Sequence, residues 1–137
     1  NFIFSRCVSV CPLLTAKFAE LQRRLAGVQG VSYLSFTVDP IHDTPPVLDA
    51  FAQKFGADPE RWRFLTGPIE QVRRIIIEGF KLHVGEPTED QQTSLFDIMH
   101  DEHFVLVDGR GVIRGYFTGD QAGLESLTNG VRQLSAR

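Results

Sequence analysis

Apolar positions along the chain alternate between a strand rhythm and a helix rhythm. "NFIFS" (1–5) opens as a short apolar run with the character of a buried strand. From Pro12 the apolar residues Leu14, Phe18, Leu21 and Leu25 recur at helical spacing, and Gly27 is a natural stop. "VSYLSFTV" (31–38) is rich in β-branched and aromatic residues and predicts a buried strand. The turn-rich "DPIHDTPP" (39–46) follows, then Leu48, Phe51 and Phe55 mark a second helix closed by Gly56. "RFLT" (63–66) predicts a short strand, and Ile69, Val72, Ile76 and Phe80 trace a third helix. "HVGEPTEDQQTS" (83–94) is polar and predicts an exposed loop. "HFVLVD" (103–108) and "VIRGYF" (112–117) flank a Gly-containing turn and predict a hairpin. Leu124, Leu127, Val131 and Leu134 give a C-terminal helix.

Strands alternating with helices argue for α/β layers with parallel strands, and the closing hairpin and helix make the sheet mixed. A thioredoxin-like arrangement fits this order: a mixed sheet flanked by helices, one domain over residues 1–137. The chain begins inside its first strand. That predicts an upstream segment, a strand or hairpin, processed away or left out.

Composition narrows the class. The chain has 137 residues, is 42% hydrophobic and 23% charged, and carries a formal net charge of −3. That is an ordinary globular balance. With no basic run or stripe, nucleic-acid binding has no support. No apolar stretch reaches bilayer length and no signal-peptide pattern is present.

The chemistry concentrates in "SRCVSVCP". Cys7 and Cys11 are the only cysteines, and Pro12 follows them. In the predicted layout Cys7 leaves the end of a central strand. Cys11 stands beside a helix start, because proline suits the first helical position. Free backbone N–H groups and the helix dipole favour thiolates there. A plain structural disulfide adds little, because it closes so short a loop. Disulfide exchange is open, although the thioredoxin motif is CxxC and this spacer is one residue longer. Metal binding is open too: the longer spacer lets both sulfurs meet a third atom, and two soft thiolates favour copper(I).

A metal needs a further ligand. His83 borders the polar loop and reads as solvated, His42 reads as a surface residue of "DPIHDTPP", and His103 begins a strand. His100, in "DIMHDEH", lies in the loop that would face the cysteine-bearing helix start, and Met99 beside it is a soft donor that more often fills core. Asp39 and Asp43 read as turn-forming and helix-capping residues, with Asp43 or Thr44 as the cap ahead of Pro45, in a loop whose other reading is proximity to the cysteines.

At this point the sequence resembles the Sco (SenC) family over essentially its whole length. "NFIFSRCVSVCP" resembles that family's strand and CxxxCP site, "TVDPIHDTPPVLDAF" its DP–DTP loop and following helix, and "WRFLTG" its short third strand. "MHDEHFVLVDGRGVIRGYF" resembles the region of its third metal ligand, which falls on His100 and not on His103. The resemblance implies a thioredoxin-fold copper carrier with Cys7, Cys11 and His100 as ligands of copper(I) or copper(II). Cys7 and Cys11 would double as a redox-active pair. It further implies a role in cytochrome c oxidase assembly, with copper delivered to the dinuclear copper site of oxidase subunit II or that site's thiols reduced. Another copper chaperone is a further implied partner. The implied location is the periplasm, tethered to the inner membrane by an N-terminal segment, or the mitochondrial intermembrane space. Two rival functions use the same cysteines: a thiol–disulfide oxidoreductase acting on an exported partner, and a copper or redox sensor. "FDIMHDEHF" has no proline where thioredoxins carry a cis-proline, which favours metal over exchange, and Asp101 puts an acidic residue beside His100.

Overall fold

The computed structural model describes residues 1–5, 10–82 and 103–136. Strand β1 (Phe2–Ile3) is followed by α1 (Val10–Arg24), β2 (Tyr33–Thr37), α2 (Pro45–Lys54), β3 (Trp62–Leu65) and α3 (Ile69–Arg74). After the second undescribed segment come β4 (His103–Val107), β5 (Ile113–Thr118) and α4 (Gln121–Ser135). The predicted parallel strands and the predicted hairpin are both present. β1, β2 and β3 form a parallel sheet in that order, with Ile3 opposite Thr37 and Phe36 opposite Leu65. β4 and β5 pair antiparallel, with an irregularity at Leu106/Val107.

Aromatic side chains bind these parts into one core. Phe18 of α1 meets Tyr33 of β2, Trp62 of β3 and Phe104 of β4, with ring centroids 5.2–5.6 Å apart. Leu14 and Leu21 of α1, Leu25 just beyond its end, and Leu124, Leu127 and Val131 of α4 close over the same cluster. The i, i+3/i+4/i+7 spacing read from the sequence is therefore the buried stripe of each helix. β2 departs from the buried strand that "VSYLSFTV" predicts, because one of its positions is exposed. Its buried positions are Tyr33, Ser35 and Thr37, while Leu34 is exposed. Ser35 and Thr37 are satisfied internally, as burial requires. Ser35 Oγ accepts from Trp62 Nε1 at 2.9 Å and donates to Asn1 Oδ1, and Thr37 serves the loop described below.

One further element differs from the sequence expectation. α3 does not run as an α-helix to Phe80. It passes into a π-helical turn over Ile75–Gly79, closed by Phe80 N–H donating to the Ile75 carbonyl at 2.9 Å. The wider turn sets Phe80 against Phe2 and Phe36, at 5.4 and 5.3 Å between ring centroids. Arg61, ahead of β3, holds the α1–β2 connection by donating to the carbonyls of Leu25, Ala26, Val28 and Val31. Burial pushes the Tyr33 phenol up, and the Arg61 guanidinium near its ring offsets this in part.

Candidate functional site

The candidate site belongs to the part of the chain that leads from β1 into α1. A parallel strand that feeds a helix delivers the chain to the carboxyl edge of the sheet, where binding sites in α/β folds are assembled. α1 begins at Val10, so Cys11 is its second residue and Pro12 its third. Proline is tolerated this far in because none of the first four N–H groups of a helix has an intrahelical partner. Cys11 therefore occupies the first turn, where those free N–H groups favour a thiolate. No acidic residue lies in that turn to oppose the effect. Of the other predicted ligands, Cys7 and His100 lie outside the described residues, as do Met99, Asp101 and His83. His103 is the first residue of β4, opposite Thr118. His42 is exposed, as the surface reading expected.

The loop after β2 is where the structure adds most. Asp39 and Asp43 are both fully buried. The Asp39 carbonyl accepts from the N–H groups of His42 and Asp43, which makes the predicted turn. Of the two predicted cap residues, Asp43 and Thr44, it is not Asp43 that stands at the cap of α2. Thr44 is the N-cap residue of α2, and no side-chain cap bond is made there. Asp43 instead points back to the strands. Its Oδ2 accepts from the Thr37 hydroxyl at 2.6 Å and from Ser5 N–H at 3.1 Å, and its Oδ1 accepts from the Ser5 hydroxyl. Thr37 Oγ1 in turn accepts from Asp39 N–H at 2.9 Å. Ser5 and Thr37 went unnoticed in the sequence. The one available signal was a polar residue at the end of each of two apolar strands.

A parallel sheet with helical crossovers and a closing hairpin and helix define a thioredoxin-like α/β protein, with a cysteine in the first turn of its first helix. A sequence profile of the SCO1/SenC family matches residues 1–136, and the chain belongs to that family. It is 30% identical to the SCO1 protein homolog of Bacillus subtilis, covering 98% of this chain and 69% of that protein. Against the mitochondrial SCO2 homolog of Bos taurus it is 27% identical and spans half of that protein's length. Among solved structures, a SCO1/SenC family lipoprotein from Bacillus anthracis superposes with a TM-score of 0.79 at 30% identity, covering 98% of this chain and 78% of that one. BsSco, a member of the Sco family of cytochrome c oxidase assembly proteins in which a disulfide switch was identified, gives 0.78 at 30% identity, covering 98% and 77%. Copper-bound ScoI of Bradyrhizobium japonicum shares the fold, with a TM-score of 0.69 at 21% identity over 97% of this chain and 81% of that one. Among the described residues, no helix is long and apolar enough to cross a membrane.

Proposed function

We propose that this chain is a copper-handling protein of cytochrome c oxidase assembly that takes up one copper ion through Cys7, Cys11 and His100. The observation that carries the reading is the family match over residues 1–136 together with Cys11 in the first turn of α1. The donor set suits the cargo. Two thiolates hold copper(I), and an imidazole adds a borderline donor that also suits copper(II). Thiolates must lose their protons to bind, so affinity rises with pH. The acceptor we propose is the dinuclear copper site of oxidase subunit II, to which the chain delivers copper or whose thiols it prepares. The lipoprotein relative and the mitochondrial relative support action outside the cytoplasm, at the periplasmic face of the inner membrane or in the intermembrane space. Thiol–disulfide exchange by the same cysteines is the second reading, and the disulfide switch of BsSco favours it.

Anaerobic titration of the reduced protein with copper(I) and copper(II) tests the proposal. The expected result is one copper per chain with thiolate-to-copper charge-transfer absorption. His100→Ala should weaken copper(II) binding and shift its spectrum, whereas His42→Ala, on the exposed loop, should not. Uptake that is absent, or unchanged in the Cys7→Ala, Cys11→Ala double variant, overturns it.

A further inference from the structure

We propose that Asp43 is a positioning residue for the cysteine pair, acting through Ser5 on the chain that leads to Cys7. The inference rests on the thiol- and copper-handling reading above. β1 is two residues long, and its ladder with β2 ends where Val38 N–H donates to the Ile3 carbonyl at 2.8 Å. Ser5 lies beyond that ladder and two residues before Cys7. A longer strand would tie Ser5 N–H to β2. Here the Asp43 carboxylate takes that donor, and the Ser5 hydroxyl as well. The same carboxylate is fixed to the end of β2 by the Thr37 hydroxyl, and its own N–H is held by the Asp39 carbonyl at 2.9 Å.

One fully buried side chain thus joins the exit of β1, the end of β2 and the following loop. Neither a turn nor a cap requires this. The Asp39 carbonyl makes the turn through main-chain bonds, and Thr44 occupies the cap position. The described chain is then anchored independently on either side of residues 6–9. Cys11 rides on α1, which Leu14 and Phe18 lock into the core. Cys7 follows Ser5, which Asp43 locks. How readily two sulfurs bridge or share a metal depends on their spacing in the native state. Loosening Ser5 should change both properties.

The experiment compares Asp43→Ala, Asp43→Asn, Ser5→Ala and Thr37→Val in three measurements. The first is the thiol–disulfide equilibrium of the metal-free protein in dithiothreitol buffers. There the Cys7–Cys11 pair gives up two electrons and two protons in forming its S–S bond, and oxidised dithiothreitol takes them up. The second is copper(II) affinity with its charge-transfer band, and the third is the melting temperature. Loss of one hydrogen bond corresponds to about a fivefold change in an equilibrium constant. Asp43→Ala should shift the redox equilibrium and weaken copper(II) binding by about that factor or more, and Ser5→Ala should move both in the same direction. Asp43→Asn should restore most of the loss, because its amide oxygen can accept from Ser5 N–H and Thr37 while its amide N–H donates to Ser5 Oγ. Thr37→Val should lower the melting temperature but leave the redox equilibrium within about twofold, since the Ser5 bonds survive. Variants that lose melting temperature while redox equilibrium and copper spectrum stay unchanged would overturn the proposal and leave Asp43 a purely structural residue. If Asp43→Ala does not fold, Ser5→Ala and Asp43→Asn decide. If the wild-type protein takes up no copper, the proposed cargo falls, and the redox measurement still decides the role of Asp43.

Discussion

The ring of Phe18 stacks on that of Phe104, with centroids 5.5 Å apart and planes 24° apart. Phe18 lies two helical turns along α1 from Cys11, and Phe104 lies one residue into β4, four residues after His100. This contact binds the cysteine-bearing helix to the strand that the histidine-bearing segment enters. Both rings are buried, and Phe18 also meets Tyr33 and Trp62. Phe104→Ala should therefore destabilise the protein by about 3–5 kcal/mol through lost transfer energy and a cavity. Phe104→Leu should cost less, because it keeps much of the volume. Chemical denaturation measures both. A double-mutant cycle of Phe18→Leu with Phe104→Leu should show a coupling of about 0.5–1.5 kcal/mol.

The C-terminal helix is seated by a close approach. A Cβ on Gly123 would stand 1.9 Å from the Thr118 carbonyl oxygen, the last residue of β5. Backbone cannot yield as the tip of a flexible side chain can. Gly123→Ala should displace the start of α4 and cost about 2 kcal/mol or more, despite the better helix propensity of alanine. Gly27 offers the control, since nothing lies within 4 Å of its added Cβ. Equal melting temperatures for the two alanine variants would refute the packing described for Gly123.

Much of this was legible in the sequence, and the part that was not has a physical pattern. Helix stripes such as Leu14–Phe18–Leu21 follow from local periodicity, so α1 could be placed by spacing, although Pro12 read as its first residue and the helix begins two residues earlier, at Val10. The π-helical turn at Ile75–Gly79 could not, because its reason is non-local: it brings Phe80 onto Phe2 and Phe36. Asp43 is the sharper case. "DPIHDTPP" has the composition of a solvated turn, yet Asp39 and Asp43 are buried. What makes burial of Asp43 tolerable is Thr37 together with Ser5, 38 residues earlier in the chain. A donor that distant leaves no trace in the pattern of the loop itself.

Acid should weaken the C-terminal half by protonating two carboxylates that the fold holds ionised. Asp120 caps α4, accepting from Gly123 N–H at 2.7 Å and from the Thr118 hydroxyl at 2.8 Å, and those bonds hold its carboxyl below the usual range. In the hairpin turn, Asp108 is held low by Val112 N–H, then by Arg110 N–H and the Arg114 guanidinium. A carboxyl whose folded pKa is depressed contributes stability that is complete above its unfolded pKa. That contribution is lost as pH falls through the folded value. The melting temperature should therefore decline below about pH 4. Asp120→Asn keeps a capping acceptor but does not titrate, so its curve should be flatter over that window. Parallel curves for wild type and Asp120→Asn would show that the cap contributes nothing to the acid response.

The proposed use of the cysteines makes a last prediction, on redox gating. Two sulfurs that meet on one metal can approach each other without it, and an oxidised pair has no thiolate to donate. Disulfide formation between Cys7 and Cys11 should therefore abolish copper uptake, and a reductant should restore it. The effect on the fold itself should be small. A bridge spanning so few residues removes little chain entropy, and the core rests on residues such as Phe18, Leu21, Trp62 and Phe104, which do not depend on it. Oxidised and reduced metal-free proteins should thus melt within a few degrees of each other. Copper(I) should raise the melting temperature of the reduced form alone, because a ligand that binds only the native state stabilises it by mass action. Three melting curves make the test: oxidised, reduced, and reduced with copper. An oxidised protein that still gains stability from copper would place the metal away from the cysteines. A reduced metal-free protein that is largely unfolded would make the disulfide a structural staple instead.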